Sequence, residues 1–97
     1  MNKIQPVHPG EILSEDFMIP MGISQYRLAR DIKVPSMRIS EIVRGKRSIT
    51  VDTAMRLSIY FGNSIHFWMG LQMDYDLAIA EDTLLSKIEH DIIPRAA

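Results

Sequence analysis

The chain has 97 residues, 46% of them hydrophobic and 24% charged, with a formal net charge of −1 and no cysteine. That length suits a single domain with a modest core, and the missing cysteines exclude a disulfide framework and a cysteine-ligated zinc site. A reducing, cytoplasmic setting is expected: no apolar core follows a basic start as in a secretory leader, and no apolar run reaches the ~20 residues of a membrane span.

Charge is unevenly placed. Residues 27–47 hold seven basic side chains against two acids, +5 locally, between an N-terminal part of −2 (residues 1–26) and a C-terminal part of −4 (residues 57–97). A concentrated basic stretch is the electrostatic footprint of phosphate binding, and it favours double-stranded DNA as a partner over a plain helical hairpin. The flanking acids read first as a solvated face and second as a surface for a basic partner.

In chain order, Pro6 opposes a helix in the lead-in. Pro9 suits a helix start, with Glu11 in the first turn where the helix dipole favours an anion. Ile12, Leu13 and Phe17 face inward at helical spacing, and Pro20 predicts an end by Ile19. Ser24 is the cap of the next helix, whose buried face carries Leu28, Ala29 and Ile32. Pro35 disfavours helix at Val34 and suits the first position of a following helix, which turns Ile39, Ile42 and Val43 inward and ends at Gly45. Small Ala29 permits a steep crossing, and Val34 and Ile39 close over it. Residues 24–45 thus read as a DNA-binding helix-turn-helix, its second helix suited to a major groove. That helix presents Ser36, Met37, Arg38, Ser40, Glu41 and Arg44 outward.

Lys46 and Arg47 follow in the loop. Thr50 is the next cap, Ala54, Leu57 and Phe61 mark a helical face, and Gly62 ends it. Ser64 caps a last helix that, with its tail, fills residues 64–97. Its apolar positions are dense: they read as core or, preferentially, as partly a homodimer seam containing Phe67, Trp68, Leu71 and Tyr75. An all-α domain over residues 1–97 is expected.

Catalysis finds little support. His8, His66 and His90 lie in different segments without metal-ligand spacing, so neither a metal nor another cofactor is expected. His8 reads as a helix-start residue. The glycines are isolated and form no phosphate loop, and they read as helix punctuation. Ser36 and Ser40 have no base at helical reach.

Five segments together carry a family resemblance: His8-Pro9-Gly10-Glu11-Ile12-Leu13, Pro20-Met21-Gly22-Ile23-Ser24-Gln25, Arg38-Ile39-Ser40-Glu41-Ile42, Gly45-Lys46-Arg47-Ser48-Ile49-Thr50 and Phe67-Trp68-Met69-Gly70-Leu71-Gln72. Over residues 4 to about 80 the chain resembles HigA-type (VapI-like) antitoxins of the Xre, lambda-repressor-like helix-turn-helix superfamily. The resemblance implies a five-helix fold and a type II toxin–antitoxin role. The antitoxin neutralises a small mRNA-cleaving toxin of the HigB (RelE-like) type and represses its own operon as a dimer on operator DNA. It also implies that Gln25 contacts a phosphate. At the start of the recognition helix, Arg38 suits a guanine and Met37 a thymine methyl, while Lys46, Arg47 and Thr53 suit the phosphate backbone. Glu41 alternatively only orients Arg38 or another basic neighbour. One position departs from the family: Lys33 stands where the turn often has glycine, so it must adopt a left-handed conformation or the turn is built differently. A stand-alone dimeric regulator, and an interaction module without DNA binding, are the alternative readings.

Overall fold

The computed structural model describes residues 5–96. Among them there are five helical rods and no strand. Helix α1 covers residues 9–21, with a π-helical stretch, Leu13–Met18, in its middle. Helix α2 is Gln25–Ile32, α3 is Ser36–Val43 and α4 is Val51–Phe61. Helix α5 covers residues 65–91, with a π turn at Glu81–Leu85.

Local chemistry starts most of these helices. The His8 Nδ1 accepts the Gly10 N–H at 2.9 Å, Ser24 Oγ accepts from Arg27 at 3.0 Å, and Ser64 Oγ accepts from Phe67 at 2.9 Å. Thr50 Oγ1 accepts from Thr53 at 3.4 Å. Pro35 is the residue before α3 rather than its first helical residue; its φ is −60° and its ψ 141°, and the carbonyl accepts from Arg38 N–H.

Helices α1, α2 and α3 end alike. Ile23 donates to the Met18 carbonyl, Val34 to Ala29 and Lys46 to Glu41, each a bond that spans a left-handed residue. Those residues are Gly22, Lys33 and Gly45, and Lys33 is the non-glycine among them, at φ 64°. The left-handed alternative for the turn is therefore the one adopted. Arg56 supports it: Nη1 donates to the carbonyls of Ile32 (2.8 Å) and Lys33 (3.3 Å), groups that a helix end leaves unsatisfied.

The expected stop at Ile19 is not observed. Ile19 N–H bonds the Ser14 carbonyl, five residues back. This wider π turn opens the helix where the Pro20 ring would press on the Asp16 carbonyl, so the rod continues to Met21.

The core joins all five helices: Leu13, Met18, Leu28, Ala29, Ile32, Ile39, Ile42, Ile49, Ala54, Leu57 and Trp68. Phe17 and Val34 pack against it. Trp68 is 0% exposed, and its Nε1 donates to Asn63 Oδ1 at 2.7 Å. Gly10 is more than punctuation. A Cβ there would stand 1.7 Å from the Ile42 carbonyl oxygen, so α1 lies directly on the backbone of α3 and fixes its tilt.

Candidate nucleic-acid interface

Helix α3 turns Ile39 and Ile42 into the core, and the 3.6-residue period then sends the intervening side chains outward. Gln25 and Tyr26 at the start of α2 meet Ser36, Met37 and Ser40 of α3, and Arg44 just after it, around one shallow concavity. Met37 is 66% exposed and Tyr26 68%. Six of the residues expected to face DNA, Gln25, Ser36, Met37, Arg38, Ser40 and Arg44, thus lie on or beside one face. Tyr26 joins them unforeseen, with its exposed ring in a turn of polar neighbours as the only sequence signal.

A second hollow opens beside the first, lined by Arg38, Arg47, Ser48, Thr50, Asp52, Thr53 and Arg56. Its charges are paired. Arg38 Nη1 meets Asp52 Oδ2 at 2.7 Å, and Arg56 Nε meets the same oxygen at 3.0 Å. Arg56 and then Arg38, as hydrogen-bond donors, hold the Asp52 carboxyl below the usual range. Glu41 bonds Arg47 Nη2 at 2.6 Å, so it orients Arg47 and not Arg38. On the far side of α2, Tyr60 Oη donates to Asp31 Oδ2 at 2.6 Å and Arg27 Nε at 2.9 Å, which together depress the Asp31 pKa.

Two of the expected residues are misplaced by the sequence reading. Thr53 is 1% exposed, and its hydroxyl meets that of Thr50 at 3.4 Å. It forms the floor of the hollow and offers no side-chain surface to a phosphate; the same spacing that puts Ala54 and Leu57 inward turns it in with them. Trp68, expected at a dimer seam, is wholly inside the one chain. Of the other expected seam residues, Phe67 meets Phe17 and Trp68 edge-on, Tyr75 meets the His8 ring edge-on, and Leu71 packs on the core. The apolar surface of α5 lies further out, at Met73, Leu77, Leu84 and Ile88, and continues at Ile92 just beyond the helix; these are 45–62% exposed.

The loop carrying Lys46 and Arg47 is held by a residue that sequence reading left without a role. Gln72 is buried; its Oε1 accepts the Ile49 N–H at 2.7 Å and its Nε2 donates to Asp76 at 2.9 Å. Among the described residues no group of three or more His, Asp or Glu side chains is placed to hold a metal ion, and no helix is long and apolar enough to cross a membrane.

Two short helices joined by a tight turn and seated on one core, with a basic and polar outer face, define the helix-turn-helix class of DNA-binding domains. Comparison with known proteins places it further. Residues 15–68 match the helix-turn-helix family. The chain is 49% identical over 80 residues to virulence-associated protein I of Dichelobacter nodosus, covering 82% of this chain and 74% of that protein. It is similar to the structure of Pseudomonas aeruginosa antitoxin HigA with the higBA promoter: TM-score 0.89, 45% identity, 94% of this chain and 99% of that one. It also matches antitoxin GraA in complex with its operator, with a TM-score of 0.90, 36% identity, and 100% and 98% coverage. The chain belongs to the HigA-type, VapI-like antitoxins of the helix-turn-helix family.

Proposed function

We propose that this chain is the antitoxin of a type II toxin–antitoxin pair, and that it represses its own operon by sequence-specific DNA binding. The observation that carries the reading is the face of Gln25, Ser36, Met37, Arg38, Ser40 and Arg44 in a fold similar, over nearly its whole length, to antitoxins solved on operator and promoter DNA. Arg38 and Met37 read base edges; Gln25, Lys46 and Arg47 hold phosphates. The second macromolecular partner is a small mRNA-cleaving toxin of the HigB (RelE-like) type. The repressor acts as a homodimer, because two-fold symmetry matches repeated half-sites. The exposed stripe of Met73, Leu77, Leu84, Ile88 and Ile92 supports that state: paired with its own copy across a two-fold axis, it leaves water in both chains at once.

Co-purification tests the antitoxin reading. The product of the adjacent gene, tagged and co-expressed, is expected to hold this chain in a stoichiometric complex and to be toxic alone. No complex and no toxicity would leave a stand-alone regulator. On DNA, Arg38→Ala is expected to cost about 1–3 kcal/mol of operator affinity. An unchanged affinity in a competition titration would remove Arg38 from base reading.

A further inference from the structure

The two ion pairs on Asp52 form a line across the interface. The carbonyls of Ile32 and Lys33, in the turn of the motif, accept from Arg56; Arg56 bonds Asp52; Asp52 bonds Arg38 on the recognition helix. The turn and the recognition helix are thereby tied to each other through α4, whose Asp52 lies 14 positions from Arg38.

Stability alone does not account for the arrangement. Both pairs are partly open to solvent, and ion pairs so exposed contribute little to stability. Positioning does account for it. A long arginine side chain loses substantial rotamer freedom when it is immobilised on a base, and a partner that immobilises it beforehand removes that cost from the binding step. The atoms used also matter. Asp52 takes Nη1, so this bond does not use the Nε–Nη2 edge of Arg38, which carries two parallel N–H groups. Two parallel donors are what the O6 and N7 acceptors of guanine require.

Resting on the DNA-binding reading above, we infer that Asp52 is the specificity-determining positioning residue of this interface: it touches no base, and it sets the pose in which Arg38 discriminates one. An anion beside the phosphate backbone opposes sequence-independent binding. Asp52 therefore acts with opposite signs on the two modes, favouring the chosen sequence and disfavouring all others.

The test uses the full chain. Wild type first selects its preferred duplex from a random pool. Affinities of wild type, Asp52→Asn, Arg38→Ala and the double variant are then measured on that duplex and on an unrelated one, over a salt series. The expected result for Asp52→Asn is weaker binding to the selected duplex with equal or tighter binding to the unrelated one. The specificity ratio should fall about tenfold, the size of one well-placed base contact. On the selected duplex the double variant should be no weaker than Arg38→Ala. Partial unfolding lowers both affinities by the same factor and leaves the ratio alone, so a folding defect cannot imitate this result. An unchanged ratio, or an equal drop with and without Arg38, overturns the role of Asp52 while leaving DNA recognition intact. A wild-type chain that selects no sequence overturns the DNA-binding reading, and the role of Asp52 with it.

Discussion

Residues 24–62 and residues 81–96 have opposite surfaces. In the first region the apolar side chains mostly turn inward and arginines sit against carboxylates: Arg27 on Asp31, Arg38 and Arg56 on Asp52, Arg47 on Glu41. In the second every residue is exposed, Leu84, Leu85, Ile88 and Ile92 included. A surface of paired charges and polar groups is at rest in water and waits for a polyanion. A surface of exposed leucine and isoleucine costs free energy in water, roughly 25 cal/mol for each Å² left uncovered, and that cost favours the homodimer proposed above. The contrast separates a region whose apolar side chains are mostly buried within the chain from one that buries none of its own.

Substitutions at the seat of the recognition helix should be the most damaging. Gly10→Ala would drive a Cβ into the backbone of Ile42, where no side-chain rotation relieves the clash. A loss of more than about 3 kcal/mol in denaturant unfolding, with loss of operator binding, is expected. Wild-type stability would show that α1 and α3 separate easily and that the core region is softer than its packing implies.

Trp68→Ala comes next. Its burial and its bond to Asn63 place it in the core, so about 3–5 kcal/mol of stability should be lost. A variant that keeps its stability and loses only association would return Trp68 to the interface.

A smaller effect follows from His8. Its Nδ1 must be unprotonated to accept the Gly10 N–H, and burial lowers its pKa, against a weaker opposite pull from Asp76. A depressed histidine pKa means that the folded chain holds this proton less tightly than the unfolded chain. The contribution is thus complete above the ordinary histidine value and is lost as pH falls below it. The loss is read as a lower Tm at the acidic end. His8→Asn, which caps without titrating in this range, should flatten that dependence; an unaltered profile would place the titration elsewhere.

The smallest effect on folding is expected where the effect on association is greatest. Leu84→Ser with Ile88→Ser should change the unfolding free energy by less than about 0.5 kcal/mol, because neither side chain is buried in the chain itself. Sedimentation should nevertheless show a monomer. A dimer of unchanged affinity would move the seam off this stripe. Salt should also separate the two regions: DNA binding weakens as salt rises, whereas a dimer seam flanked by Asp74, Asp76, Glu81, Glu89 and Asp91 gains from screening of their mutual repulsion.

What the sequence by itself determined is what its near neighbours decide. Ser24, Thr50 and Ser64 cap helices through bonds to residues three positions on, and Gly45 and Gly62 end them at positive φ, because both devices are complete within one turn of chain. The inward faces of α2, α3 and α4 were legible for the same reason: a period of 3.6 is a local property, and so is the basic run that marks the DNA-facing side. Tertiary structure decided everything in which two distant segments compete for one group. Whether Trp68 meets Phe17 or a second chain, whether Glu41 takes Arg38 or Arg47, and whether Thr53 faces solvent all depend on which element lies opposite. Asp52 reaches Arg38 across 14 positions, Gln72 reaches Ile49 across 23, and Gly10 lies on Ile42. No local pattern encodes these pairings, since the same spacing on a helix serves equally for a core contact, a partner contact or solvent, and only the packing of one helix on another selects among them.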